Sequence, residues 1–315
     1  MILPLRSYPP YVVSLFAGGI TVLLTFLSGL SPFLSLFLNY FNVLPLFLVS
    51  LSIGLNAGIS SATVALLGIF FAFGAYQAVG FFVISYLPFL LLSYLILKPN
   101  DTNKNTNFRY PLGAIISKVS LCVLLTSLIL LVFLNESGVD IKGSIHHFLD
   151  GVIPPELTIE KTKLIDQLVD ILPGIMLASW IVTGLMNAFV AQRILSKHQQ
   201  ELRPLQPNDY TFDTYWDIVV TAALMLIIFN HFFHLPLFSL VGKTAALLGC
   251  LPLAAIGFRV CQLRFSAGRL KGMGFSILIL LTFLLVWPLL LIVLLGFIEP
   301  WYGLAQNNAT ENQPD

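Results

Sequence analysis

The chain has 315 residues, of which 57% are hydrophobic and 10% charged, with a net charge of +1. Soluble domains carry about 25% charged residues, so these proportions exclude a water-soluble globule. A balance of +1 gives no pointer to a nucleic-acid partner; what the charges do reveal is orientation.

The N-terminal part is the most decisive. From Ser7 to Leu97, 91 consecutive residues contain no Asp, Glu, Lys, Arg or His. A soluble surface cannot be made that way, and a helix needs roughly 20 residues to cross the hydrocarbon core. The stretch therefore predicts a charge-free bundle of about four helices over residues 8–97. Tyr11–Leu30 reads as an uncleaved first span, because no small-residue cleavage site leads into a polar mature domain.

Nine apolar runs of spanning length follow one another: Tyr11–Leu30, Asn39–Leu55, Ser60–Tyr76, Val79–Leu97, Leu112–Leu134, Ile171–Leu195, Ile218–Phe233, Leu235–Gln262 and Phe275–Phe297. The only breaks among the second to fourth are Asn56–Ser61 and Gly74–Gly80. In lipid every backbone polar group needs a partner, and the alternating ten-residue strands of a barrel are missing, so the runs predict helices. The expected fold class is all-α, a polytopic transmembrane bundle of nine spans within a single membrane domain, 1–315. Eight would remain if two front runs merged into a re-entrant pair.

Lysine and arginine fix the orientation. With the N-terminus inside, Arg6, Lys98, Lys104, Arg109, Arg193, Lys197, Arg203, Arg264, Arg269 and Lys271 fall inside, and Lys118 and Arg259 near inside ends. Only Lys142, Lys161, Lys163 and Lys243 fall outside, and the tail after Glu299 has none. The pattern predicts the N-terminus in and the C-terminus out. Tyr11, Tyr110, Tyr210, Tyr215, Trp216, Trp301 and Tyr302 flank the runs as headgroup anchors.

Residues 135–170 form the one large excursion, an acidic extracytoplasmic loop split by Pro154-Pro155. Beyond the prolines, Leu157, Ile159, Leu164, Ile165, Leu168, Val169 and Leu172 recur with helical spacing opposite Glu160, Lys161, Lys163 and Asp170. This predicts an amphipathic helix on the outer membrane surface, bent into the next span by Pro173. Asn100–Asn107 and Gln199–Asp213 read as polar inside loops, and 305–315 as a disordered tail.

Candidate chemistry is sparse. His231 and His234 share a helix face, but no Asp, Glu or Cys completes a metal set, which favours an interfacial pair. His146, His147 and Asp150 sit together on the outside loop, where solvated side chains are the simpler reading. Asp166 and Asp170 share a helix side, yet acids are expected on a polar face. Cys122, Cys250 and Cys261 lack metal spacing and read as apolar fillers. No G-x-x-x-x-G-K-[ST] loop is present, and no acid occupies a span centre, where ion-coupled carriers commonly place one. Neither a cofactor nor an enzymatic activity is expected. Ala17-Gly18-Gly19, Gly54 with Gly58, Gly174 with Ala178, and Gly184 with Ala188 permit close helix approach. The neutral polar groups left as ligand or interface candidates are Asn39, Asn42, Asn56, Gln77 and Asn187, with His231 and His234.

Several short segments carry a family resemblance: Leu44-Pro45-Leu46-Phe47, Ser52-Ile53-Gly54-Leu55-Asn56-Ala57-Gly58, Tyr110-Pro111-Leu112-Gly113, Leu172-Pro173-Gly174, Ala178-Ser179-Trp180, Asn187-Ala188-Phe189-Val190-Ala191-Gln192-Arg193 and Leu295-Gly296-Phe297-Ile298-Glu299-Pro300-Trp301-Tyr302-Gly303-Leu304. Together they resemble the YybS-like bacterial membrane family across nearly the whole chain. Members of that family tend to show an Asn and a Phe-Leu-Gln-Gly segment in the eighth span, where this chain reads Gly249 to Gly257. The resemblance implies a multi-pass protein of the bacterial inner membrane. It also implies kinship with the substrate-binding subunits of energy-coupling factor transporters, which capture a small molecule and use a cytoplasmic ATPase through another membrane subunit. The alternatives are a structural or biogenesis factor that binds other membrane proteins and, third, an enzyme on a lipid-linked substrate.

Overall fold

A computed structural model describes residues 5–98, 112–138, 140–152, 165, 168–202, 215–233, 236–267, 273–285 and 287–302. The expected loop at Asn100–Asn107, the tail at 305–315, Asp166, His234, and all but a few residues of the expected amphipathic helix lie outside these. The described residues are helical, with no strand among them. In chain order the helices are α1 (Pro10–Ser28), α2 (Pro32–Phe41), α3 (Leu44–Ile53), α4 (Leu55–Phe73), α5 (Ala75–Leu97), α6 (Leu112–Glu136), α7 (Ile141–Val152), α8 (Leu172–Lys197), α9 (Trp216–Phe233), α10 (Pro236–Ala267), α11 (Met273–Leu284) and α12 (Trp287–Tyr302).

Among the described residues six helices are long and apolar enough to cross a membrane: α1, α4, α5, α8, and the cores of α6 and α10. A seventh crossing results if α11 and α12, which meet at 116°, count as one broken span. The second and seventh runs correspond to apolar helical stretches shorter than these six, Phe37–Ile53 and Trp216–Asn230. Pro45 explains the first. It has no N–H for the Phe41 carbonyl, and the chain breaks at Asn42–Val43.

The chain divides into two compact units. The first comprises Met1–Ile115 and Ser179–Asp209, the second Ile116–Ala178 and Tyr210–Asp315.

In the first unit, α4 lies between α1 and the pair α3 and α5. A side chain at Gly18 would meet the Ser61 carbonyl and Val64 at 2.7 Å, and one at Gly58 would meet Ser50 Cβ at 2.6 Å. Ser14 Oγ donates across α1 and α4 to the Ala57 carbonyl at 2.9 Å, and Phe47 meets Phe89 edge-on at 5.0 Å between α3 and α5. The break in the front runs sits at one residue, Gly54, with φ +133°, rather than at Asn56–Ser61. Those polar residues lie inside α4 because their hydroxyls are satisfied there. Ser60 donates to the Asn56 carbonyl, and Ser61 to the Ala57 carbonyl, one turn back. The next break is Gly74 alone, at φ +86°, and Gly80 stays helical.

In the second unit, α10 is the central helix, with α9 on one face and α12 on another. Side chains at Gly242 and Gly249 would run into Ala223 and Val220 of α9. At the other face Gly257 lies against the Ile292 carbonyl, and Gly296 against the Leu253 carbonyl. Gly174, in the first turn of α8, lies against Thr244 and Leu247. Pro173 occupies that same first turn, where its missing N–H leaves no gap in the helix, so it opens α8 instead of bending it.

Within the 135–170 excursion, residues 141–152 form helix α7. Asp140 starts it, accepting from the Gly143 N–H at 2.8 Å. His146, His147 and Asp150 therefore project from a helix, the first half-buried and the others exposed. Ile165 and Val169 pack with Leu149, flanked by Ile145, Leu168 and Leu172.

Candidate functional site

Two features of the first unit combine into a candidate site, and both depend on α8. The first is a row of donors. Pro88 in α5 cannot supply an N–H to the Ile84 carbonyl, and residues Phe82–Tyr86 widen into a π turn. Trp180 Nε1–H donates to that carbonyl at 2.5 Å. Two helical turns further along α8, Asn187 Nδ2 donates to the Tyr40 carbonyl at 2.6 Å and to the Thr183 carbonyl at 2.9 Å. The Tyr40 carbonyl is freed by the break between α2 and α3. In an apolar solvent a freed carbonyl must find a donor from a neighbouring helix, and α8 provides one at each proline-associated break. Replacing Asn187 by Leu leaves the Tyr40 carbonyl without its donor. The expected cost is about 1–3 kcal/mol of stability, read as a lowered melting temperature in detergent.

The second feature is a groove of about 320 Å³ between α1, α3 and the end of α8. Val13, Phe16, Ala17 and Ile20 form one wall, Pro45, Leu48 and Val49 another, and Ile194, Leu195, His198 and Gln200 the third. The volume is at the lower end of ligand sites. Phe16 is 66% and Ile20 46% exposed, so the α1 side is open.

A turn closes the end of α8. Gln199 takes φ +53°, while the Gln200 N–H donates to Leu195 and the Gln199 N–H to Ser196. This is a Schellman arrangement with glutamine where glycine is usual; the left-handed backbone costs about 1–2 kcal/mol. The segment that follows is pinned to α3, whose last carbonyls are freed by the stop at Gly54. Leu202 N–H donates to the Leu51 carbonyl at 2.9 Å, and Arg6 Nε donates to the Ser52 carbonyl at 2.9 Å. A cation at a helix C-terminus is favourable. Residues 6, 51–52 and 202, far apart in sequence, thus meet at one end of the first unit.

The expected site residues are dispersed. Asn187 is 2% and Asn42 8% exposed, and Asn187 reaches the turn that carries Asn39 and Asn42. Asn39 itself is exposed and bonds Ser35 Oγ on its own helix. Asn56 and Gln77 are exposed on α4 and α5 and do not join them. His231 belongs to α9, with its side chain outside the described residues, as is all of His234. Among the described residues no three His, Cys, Asp or Glu side chains gather as a metal site would need.

In the second unit an ionic centre lies just before α8. Asp170 Oδ1 meets Lys142 Nζ of α7 at 2.6 Å, and Oδ2 meets Lys243 Nζ of α10 at 2.8 Å. Ser239 Oγ also donates to Oδ2, at 2.9 Å. Burial pushes the Asp170 carboxyl up, but the bonds from Lys142, Lys243 and Ser239 outweigh it, and the group is held below its ordinary value. Such a carboxylate is a tie between three elements rather than an acid or base. The sequence shows Asp170 and both lysines, but it has no signal for their meeting. For Trp180 a signal exists, because Pro88 lies four residues after the carbonyl that needs a donor.

Among the described residues the fold is all-helical, with six apolar helices of spanning length, or seven with the bent pair. No family model, curated protein or solved structure matches the chain.

Proposed function

We propose that the chain is a multi-pass protein of the bacterial inner membrane that captures a small molecule within the bilayer and leaves ATP hydrolysis to partner subunits. In this it is similar to the YybS-like family and to energy-coupling factor substrate-binding subunits. The observation that carries the reading is the apolar groove beside α1, α3 and α8, in a chain with no nucleotide loop of its own. The engagement of Asp170 by two lysines speaks for a structural acid and against a membrane enzyme built on the outer loop.

The nine-span topology belongs to the same reading. It counts Phe37–Ile53, α9 and the bent pair α11 and α12 as three crossings beyond the six long helices. Two contacts support its orientation. Arg6 and the segment after α8, both assigned to the inside, meet at the end of α3. Lys142 and Lys243, both assigned to the outside, share the one carboxylate of Asp170, which offsets part of the bias they would exert on insertion. A reporter fused at residue 310 is expected to give an extracytoplasmic signal; a cytoplasmic one refutes the odd span count.

Gentle-detergent purification followed by native mass spectrometry tests the function. It should show a small molecule or a coupling subunit and ATPase on the wild type, and Leu48→Trp, which fills the groove, should lose the small molecule. Recovery of neither ligand nor ATPase, with other membrane proteins bound instead, would favour the biogenesis-factor alternative.

A further inference from the structure

Cations are handled differently in the two units. In the second, Lys142 and Lys243 share Asp170. In the first, Arg6, Lys98, Arg193 and Lys197 are exposed, and Glu201 is the only acid among the described residues of that unit. Among those residues none of the four cations forms an ion pair. Two of them stand on one stripe of α8. Val182, Met186 and Phe189, all exposed, lead along the helix to Arg193 and Lys197, also exposed. Steps of three and four residues keep these five on one face. The stripe is thus apolar for two turns and cationic over the last turn of α8. The Arg193 guanidinium lies over the Phe189 ring, 5.2 Å from its centre. Stacking orients the guanidinium plane and leaves its N–H groups at the rim for an oxygen acceptor.

We infer that this stripe of α8 binds an anionic phospholipid of the inner leaflet, its acyl chain along Val182, Met186 and Phe189 and its phosphate between Arg193 and Lys197. The choice of leaflet rests on the orientation proposed above, with the end of α8 inside; the binding does not. Apolar side chains alone accept any lipid. Two cations one turn apart, with no carboxylate engaging them, favour a headgroup that carries net negative charge. A zwitterionic headgroup brings its own ammonium, which offsets that gain. The lengths also agree. From Val182 to Arg193 a helix rises about 16 Å, and one leaflet contributes about 15 Å of hydrocarbon. An acyl chain lying on the apolar part therefore brings its phosphate to the level of the cations, whose long stems reach for the headgroup layer. A soluble phosphate has nothing to set against the apolar turns.

The test is native mass spectrometry of the full chain in a non-ionic detergent, with phosphatidylglycerol or phosphatidylcholine of identical acyl chains added. The wild type should bind phosphatidylglycerol roughly tenfold or more tightly than phosphatidylcholine, since each Lys or Arg at an anionic surface is worth about fivefold. The double substitution Arg193→Gln, Lys197→Gln should remove most of that preference and leave phosphatidylcholine binding unchanged. Arg193→Lys should keep more of it than Arg193→Gln. An excess of sn-glycerol 3-phosphate should not displace the lipid. Equal binding of the two lipids by the wild type would overturn the proposal. So would a preference that survives the double substitution in protein of unchanged melting temperature. Displacement by glycerol phosphate would assign the cations to a soluble phosphate and overturn the lipid. Comparing the two lipids on the wild type does not depend on how any variant folds. Binding in detergent is also independent of sidedness, so an error in the orientation, read by the reporter at residue 310, is told apart from a failure to bind lipid.

Discussion

Gly257→Leu and Gly296→Leu are each expected to cost about 3 kcal/mol or more, the upper end of overpacking penalties, and to leave little monodisperse protein after solubilisation. The reason is geometric. At Gly257 even a β-carbon would collide with the Ile292 carbonyl, and at Gly296 with the Leu253 carbonyl. The obstacles are backbone atoms on both sides, so no rotamer change relieves them. The α10 and α12 backbones would have to separate, and with them the close contact on which their dispersion attraction depends. Gly19→Leu provides the contrast, since nothing lies within 4 Å of a β-carbon there; it should behave like the wild type. Size-exclusion profiles and melting curves in a single detergent distinguish these outcomes. Equal stability of Gly257→Leu and Gly19→Leu would mean that α10 and α12 do not cross as described.

The second large effect is expected at Asp170. Asp170→Asn removes the charge that two lysines share and leaves both facing a neutral amide. Losing one partner of a buried ion pair costs about 3–5 kcal/mol. Here Lys142 and Lys243 are 38% and 30% exposed, so water recovers part of it, and about 1–3 kcal/mol is expected. The sign of the pH dependence follows from the direction of the shift. The folded-state carboxyl titrates below its ordinary value of 3.8. Its contribution is therefore complete above that value and disappears as the pH falls through the lower, folded-state one. Wild-type melting temperature should drop on the acid side of roughly pH 4, and Asp170→Asn should start lower at neutral pH and lose this part of the acid limb. Lys142→Met and Lys243→Met should each cost less, because the other lysine and Ser239 still hold the carboxylate. A pH-independent difference between wild type and Asp170→Asn would contradict the ionic tie.

Much of the architecture is legible in the residue order. The charge-free front, the lengths of the apolar runs and the absence of alternating strands lead to an all-helical chain, and the long helices fall where those runs do. Helix ends are less legible in the residue order. Asn56, Ser60 and Ser61 look like a loop in sequence, but a hydroxyl can bond the carbonyl one turn back, so the helix runs through them. Gly54 and Gly74 carry the breaks because the backbone there is left-handed, which no polarity pattern reports. Helix α7 starts at Asp140, whose side chain accepts from the Gly143 N–H. The expected site residues fared unevenly for a similar reason. Asn187 is placed at a helix junction by a broken neighbour, whereas Asn56 and Gln77, equally polar, face outward.

By itself the sequence determined the solvent, because 91 residues without charge are stable only where charge is not rewarded. It also determined the secondary structure, because lipid leaves the backbone no partner but itself. Only the tertiary structure decided which side chains answer the exceptions. Prolines at 45 and 88 accompany the freed carbonyls, but Asn187 and Trp180, about a hundred residues or more away in the chain, supply the donors. Likewise Asp170 obtains its lysines from α7 and α10. Local periodicity records which face of a helix is apolar. Hydrogen bonds and ion pairs between distant segments depend on how the helices meet, and that is settled only when they pack.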